Sequence, residues 1–194
     1  MYKRQTNNRV LDLLSVCAPV YDEEALLEEF YARTTAALEE VAARERFDYE
    51  LIIVNDGSRD NSPAILDRLA ESDPRLRVVH LSRNFGHQPA LTAGLEKARG
   101  DLVVMLDADL QDPPELIGAM IERWREGSDI VYMVREQRDG ESMFKLTTAR
   151  WFYKLFRTLA QVDLAPNSGD FRLLDRHALD ALLSMGERLS LIHI

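Results

Sequence analysis

Short apolar runs that alternate with helix-like segments constrain this chain more than any other feature. Residues 13–20, 50–55, 76–81, 102–106 and 129–134 are apolar runs of strand length. Between them, residues 23–46, 61–72, 89–99 and 114–126 read as helices, the first rich in Ala, Leu and Glu. Capping candidates precede 61–72, Pro114 opens the fourth helix, and Gly100 and Gly127 are placed to end the third and fourth. Unbroken apolar runs suit strands covered on both faces. Strands alternating with helices give βαβ units and a mostly parallel sheet. The expected fold class is therefore α/β, a mostly parallel sheet flanked by helices. Beyond residue 135 the alternation breaks: 143–158 reads as a helix, 171–174 as a short strand and 176–185 as a last helix.

With 194 residues, 46% of them hydrophobic, the chain can bury a full core as a single domain. A formal net charge of −9 argues against a nucleic-acid partner, which calls for a basic footprint. Cys17 is the only cysteine, so no intrachain disulfide can form, and a reducing compartment fits. It lies in an apolar strand and is expected to be a small buried hydrophobe rather than a nucleophile. The N-terminus lacks the apolar stretch of a signal peptide, and no run approaches the roughly 18 apolar residues of a membrane span. Neither His80 nor His87 has a second histidine at ligand spacing, so zinc is not expected. Dinucleotide, Walker and nucleophile-elbow motifs are all missing.

Chemistry concentrates where the apolar runs end. The run at 102–106 ends in Asp107-Ala108-Asp109. Residues two apart on a strand share a face, and ligands of open α/β sheets sit beyond the carboxyl ends of strands. Paired carboxylates there suit a hard divalent cation that holds phosphate oxygens. Asp107, Asp109 and Gln111 also share the spacing of a calcium loop. That loop needs glycine at its sixth position, where this chain has Asp112 followed by Pro113 and Pro114. The first run ends in Pro19-Val20-Tyr21-Asp22-Glu23-Glu24, which also reads as an ordinary helix start with acidic residues in its first turn. The second ends in Asn55-Asp56-Gly57-Ser58, which also reads as a plain Asp-Gly turn. All three clusters are expected to converge on one crevice.

Taken together, PVYDEE, VNDGS, SRNFGHQPALTAGL and DADLQDPPE, in this order, resemble glycosyltransferase family 2. The similarity is strongest to the polyprenyl-phosphate glycosyltransferases, a branch that includes bactoprenol glucosyltransferases and dolichol-phosphate mannose synthases. It runs from about residue 14 to residue 174, and WFYKLF and SGDFRLLDR narrow it toward the bactoprenol side. The resemblance implies a nucleotide-binding, Rossmann-like sandwich of the GT-A type. Its catalytic core would span about residues 11–135, and an acceptor- or membrane-facing segment about 136–176. Pro19, Tyr21 and Glu23 would contact the nucleoside and Asp56 the base. Asp107 would lie near the ribose and metal, Asp109 would hold Mg²⁺ or Mn²⁺ on the diphosphate, and Gln111 would support that site.

Arg83, Arg135 and Arg138 are candidates for the diphosphate, because guanidinium forks suit phosphate oxygens; solvated surface arginines are the alternative. Asp170, in Gly169-Asp170-Phe171-Arg172, is a candidate for positioning the acceptor or the reacting sugar, or else belongs to an ordinary turn. Residues 143–158 carry Lys145, Arg150, Lys154 and Arg157, no acidic residue and a set of aromatics. Such a helix suits an anionic membrane interface, or it packs its aromatics on the sheet. Lys145, Arg150, Lys154 and Arg172 are the acceptor and membrane candidates.

The implied reaction is metal-dependent, inverting transfer of a hexose from a nucleotide sugar to polyprenyl phosphate, at the cytoplasmic face of a membrane and in cell-envelope glycan synthesis. UDP-glucose is the first choice of donor and a GDP-sugar the second. The alternatives are a sugar-hydroxyl acceptor, or a nucleotide-sugar-binding fragment without turnover. A homo-oligomer is allowed. The branch continues into membrane helices that this chain, ending at Ile194, does not contain, so the expectation is either a fragment of an anchored protein or a soluble member of the branch.

Overall fold

A computed structural model describes residues 9–134 and 168–185. By contacts the chain divides into two compact units, Met1–Val131 with Asp170–Ile194, and Tyr132–Gly169. The first unit carries nearly everything that follows.

The strands are β1 (Leu13–Val20), β2 (Asp48–Asn55), β3 (Leu76–His80), β4 (Leu102–Met105), β5 (Ile130–Val134) and β6 (Ser168–Asp175). The helices are α1 (Leu27–Glu45), α2 (Ser62–Ser72), α3 (His87–Leu95), α4 (Ile117–Arg125) and α5 (Arg176–Ser184). The six-stranded sheet has the order β3-β2-β1-β4-β6-β5. β1 pairs in parallel with β2 and β4, and β2 with β3. β6 runs antiparallel to β4, with Met105 opposite Arg172. The chain thus builds outward from β1 in both directions, and the order reverses between β1 and β4. That reversal is a topological switch point, where a crevice opens beyond the carboxyl ends of the strands.

Almost every residue of β1, β2 and β4 is buried, as the unbroken apolar runs imply. On one face Cys17, Ile52, Val54, Val103 and Met105 pack with Ala90, Leu91 and Leu95 of α3 and Leu179 of α5. The opposite face, with Leu14, Val16, Leu51, Ile53 and Val104 buried, faces away from α3 by strand alternation. Cys17 is fully buried; burial above all, and then the nearby Glu50 charge, push its thiol up to about 12. It is inert filling, as expected.

Among the elements whose ends differ from the sequence reading, three are shaped by tertiary contacts. α1 begins at Leu27 rather than at residue 23, because the backbone amides of Asp22, Glu23 and Glu24 donate to Ser58, Ser62 and Asp60 across the crevice. The acidic residues of its first turn are Glu28 and Glu29. α3 runs His87–Leu95 instead of 89–99. Its continuation is diverted because the Arg99 and Gly100 amides donate to Ser15 and Glu50. Gly100 therefore does not end the helix. A Cβ there would lie 2.6 Å from the Ser15 nitrogen and 2.7 Å from the Leu13 oxygen, so glycine lets the chain cross β1. Finally, the strand at 171–174 extends to Ser168–Asp175, because it pairs along β4 in the antiparallel sense.

Candidate functional site

The crevice at the switch point is built by four connections. After β1 the chain turns at Asp22, which holds a left-handed φ of 54°. This turn is sewn to the β2–α2 loop: the Asp22 amide donates to Ser58 Oγ (3.0 Å) and the Arg59 amide to Asp22 Oδ1 (2.6 Å). The Asn61 amide donates to Glu24 Oε2 at 2.8 Å. The Pro19–Glu24 stretch is therefore not an ordinary helix start; its polar groups fix a loop that presents Tyr21 and Glu23.

After β2 comes Asp56, which is only 2% exposed. Its two carboxylate oxygens accept the Phe85 and Gly86 amides at 2.8 and 2.9 Å. Next to it, Gly57 has φ 68°, and a Cβ there would meet the Arg83 carbonyl carbon at 2.4 Å and the Asn84 nitrogen at 2.7 Å. Only glycine allows the β3–α3 loop to lie on this turn. Asp56-Gly57 is a turn, but one that docks a second loop carrying Asn84 and His87.

After β4 come Asp107 and Asp109. His87 Nε2 lies 3.6 Å from Asp107 Oδ1. Asp109 Oδ1 accepts the Gln111 amide at 3.0 Å, and Leu110 between them holds φ 59°. A non-glycine residue in that region marks stored strain, which persists where the surroundings enforce it. The following turn is pinned to α1 by a two-pronged Arg33–Glu115 pair at 2.9 and 3.0 Å.

Together these loops line a cavity of about 330 Å³ formed by Pro19, Val20, Tyr21, Glu23, Asp56, Asn84, His87, Asp107, Ala108 and Asp109. Six of the residues singled out in the sequence, Pro19, Tyr21, Glu23, Asp56, Asp107 and Asp109, thus meet in one place. Gln111 contributes a backbone amide to Asp109 but does not line the cavity. Arg83 stacks its guanidinium 4.4 Å above the Phe85 ring, outside the lining. Asp170 lies on β6, whose antiparallel register brings this end of the strand toward the edge where Asp107 follows β4. Arg172 sits half-buried opposite Met105. Arg135, Arg138, Lys145, Arg150 and Lys154 fall outside the described residues, as does the whole 143–158 segment. Asn84 and His87 are the lining residues that sequence reasoning passed over. Their only signal was the SRNFGHQ motif, which says nothing about which side chains turn inward.

Electrostatics distinguish the cavity. Glu23 has its carboxyl raised by partial burial, then by the charges of Asp109 and Asp60. The like charges of Asp109 and Asp60 thus disfavour the charged form of Glu23. Among the described residues no group of three or more His, Cys, Asp or Glu side chains forms a ready-made metal cage. The donors present are hard carboxylate oxygens at a strand end. They fit a cation of the Mg²⁺ kind, which takes one or two carboxylates and completes its shell with phosphate oxygens and water. Asp109 and Asp107 are the residues that could hold it.

The family model for glycosyl transferase family 2 matches residues 15–183. The chain belongs to that family. The family 2 chain is 47% identical over 174 residues to the uncharacterized glycosyltransferase YkcC of Bacillus subtilis, covering 90% of this chain and 53% of that protein. It is 39% identical over 175 residues to the bactoprenol glucosyl transferase of Shigella phage SfV, covering 90% and 56%. With the undecaprenyl-phosphate 4-deoxy-4-formamido-L-arabinose transferase of Aeromonas hydrophila it shares 38% over 189 residues, covering 97% and 56%. It spans about half the length of these curated relatives.

Among solved structures, the fold matches the mannosyltransferase PcManGT of Pyrobaculum calidifontis, solved with GDP-Man and Mn²⁺ (TM-score 0.59, 24% identity, 87% of this chain and 46% of that one). It also matches the glucosyl-3-phosphoglycerate synthase of Mycobacterium tuberculosis, solved with Mn²⁺, UDP-glucose and phosphoglyceric acid (TM-score 0.58, 23% identity, 86% and 57%). The architecture is thus that of the GT-A glycosyltransferases, a mixed, mostly parallel sheet with helices.

Proposed function

We propose that this family 2 chain carries the donor half of a polyprenyl-phosphate glycosyltransferase, moving a hexose from a nucleotide sugar to a lipid phosphate with inversion. The observation that carries this reading is the meeting of Tyr21, Glu23, Asp56, Asp107 and Asp109 in one cavity at the switch point. Relatives that act on bactoprenol or undecaprenyl phosphate, at 38–39% identity, support the acceptor class. UDP-glucose is the first donor to test, from the glucosyl transferases among those relatives, and a GDP-sugar the second.

In this reading Pro19, Tyr21 and Glu23 line the nucleoside end. Asp56 spends one contact per oxygen on the β3–α3 loop and keeps acceptor capacity for the base. Asp109 and Asp107 are the residues that would hold Mg²⁺ or Mn²⁺, with Asp109 steadied by the Gln111 amide. Bound there, the cation would neutralise charge that grows on the departing diphosphate. Arg83, Arg135 and Arg138 are candidates to share that task. The acceptor oxygen attacks the anomeric carbon opposite the leaving group; one C–O bond forms as the bond to the nucleoside diphosphate breaks. A phosphate monoester is already anionic near neutral pH, carrying about −1.5 to −2 charge, so no strong general base is needed. Asp170 is the candidate for orienting acceptor or sugar. Lys145, Arg150, Lys154 and Arg172 would attract the anionic lipid at the cytoplasmic membrane face. Among the described residues no helix is long and apolar enough to cross a membrane.

The test is transfer from a panel of nucleotide sugars to a short polyprenyl phosphate, with and without Mn²⁺. Metal-dependent transfer from UDP-glucose is expected. Metal-dependent binding without transfer or hydrolysis would reduce the chain to a donor-binding unit, and transfer only to a sugar hydroxyl would overturn the acceptor class.

A further inference from the structure

The crevice loops are held from outside by a chain of hydrogen bonds that starts at a residue far from the chemistry in role. Asn55, the last residue of β2, is 3% exposed and lies beside His80, the last residue of β3. Asn55 Nδ2 is 2.9 Å from His80 Nδ1, and His80 Nε2 is 3.0 Å from Asp67 Oδ1 on α2. On its other side Asn55 Oδ1 accepts the Ser58 amide at 2.9 Å. Ser58 Oγ then accepts the Asp22 amide at 3.0 Å.

Donor and acceptor roles in this row follow from its two ends. The Ser58 amide can only donate, so the Asn55 atom facing it is the oxygen and the other is the amine. The amine donates, so His80 Nδ1 must be the bare ring nitrogen. The ring proton then sits on Nε2 and donates to the Asp67 carboxylate, which can accept it. Every member is satisfied in one arrangement only. Rotating the Asn55 amide would set its amine against the Ser58 N–H, two donors face to face.

We infer that His80 is a positioning residue for the nucleotide site: through its bare Nδ1 it fixes the Asn55 amide, and through Asn55 it fixes the Ser58 and Asp22 turns that present Tyr21, Glu23 and Asp56. The donor-binding role of those turns rests on the reading above; the holding of the turns does not. His80 does not line the cavity; its ring nitrogens reach Asn55 and Asp67. Its side chain is 37% exposed, so replacing it removes little core.

The test uses the full chain with His80→Leu and His80→Asn. The asparagine sets an amide oxygen where Nδ1 was, keeping the acceptor for Asn55 while losing the contact to Asp67. Residue-resolved amide exchange reads the turns without any ligand. In His80→Leu the Ser58 and Asp22 amides should exchange about five- to tenfold faster, the loss of one hydrogen bond, with β1 and β4 amides unchanged. His80→Asn should restore slow exchange. In steady-state kinetics His80→Leu should raise the KM for UDP-glucose by a similar factor and leave kcat near the starting value. Unchanged exchange at Ser58 and Asp22 in His80→Leu overturns the inference, as does equal loosening in both variants, which would leave only ring bulk. If the unaltered chain uses no nucleotide sugar while the exchange pattern is as expected, the donor reading fails and the positioning role stands.

Discussion

Two glutamates at opposite ends of the same sheet have opposite electrostatic fates. Glu50, near the start of β2, is 3% exposed and saturated with donors. Ser15 Oγ lies at 2.7 Å, Arg77 at 3.0 Å, and the Arg99 guanidinium at 2.7 and 3.0 Å, with the Arg99 amide at 2.9 Å. Burial pushes its carboxyl up, but the hydrogen bonds from Arg99, Ser15 and Arg77 overcome this and hold it at about 2. Glu23, past the end of β1, is instead raised by burial and by the neighbouring charges of Asp109 and Asp60. One end of the sheet neutralises its charge to hold the fold. The other sets the Glu23 carboxyl among the charges of Asp109 and Asp60, which disfavours its charged form. That contrast separates a structural network from a candidate site more sharply than the number of acidic residues at either end.

The largest expected effect lies at the crevice. Asp109→Ala should lower metal-dependent transfer from UDP-glucose by on the order of 10²–10³, while the far-UV circular dichroism and melting curve stay near those of the unaltered chain. Full activity in that variant would break the contrast at its functional end.

At the other end, Glu50→Ala should destabilise by about 3 kcal/mol, because Arg77, Arg99 and Ser15 lose their shared acceptor; urea unfolding measures it. The same network sets an acid limit. Glu50 titrates lower in the folded chain than in the unfolded one, so its stabilisation is complete above about pH 4.5. It is lost as pH falls toward 2, by about 3 kcal/mol in total. Chemical denaturation at stepped pH should show this loss, and Glu50→Gln should flatten it.

Gly57→Ala tests the seam between the two crevice loops. The left-handed φ and the 2.4 Å approach of the Arg83 backbone should cost about 2 kcal/mol and weaken nucleotide binding along with stability. The smallest effect is expected from Glu23→Gln, which removes one of the repelling charges. It should raise stability by about 0.5 kcal/mol while weakening metal-dependent nucleotide binding. A variant that loses both would mean that Glu23 is structural.

Much of this was legible in the sequence because parallel strands buried on both faces leave unbroken apolar runs. The ends of those runs, Val20, Asn55 and Leu106, are where a switch-point crevice must open, so the meeting of Tyr21, Asp56 and Asp109 follows from strand order. What the sequence hid was tertiary. α1 starts late because Asp22–Glu24 amides are claimed by residues 58–62, and α3 stops early because Arg99 and Gly100 are claimed by Ser15 and Glu50. Local propensity carries no record of such partners. His87 and Asn84 line the cavity only because Gly57 and Asp56 dock their loop, a cross-strand arrangement that no spacing rule encodes.

In the proposed function the crevice holds a nucleoside diphosphate through a cation on Asp109. Isothermal titration of UDP into the chain, with and without Mn²⁺, tests it most directly. Binding that requires Mn²⁺ and disappears in Asp109→Ala is the expected result. Equal UDP affinity without metal, or unchanged metal-dependent affinity in Asp109→Ala, would contradict it.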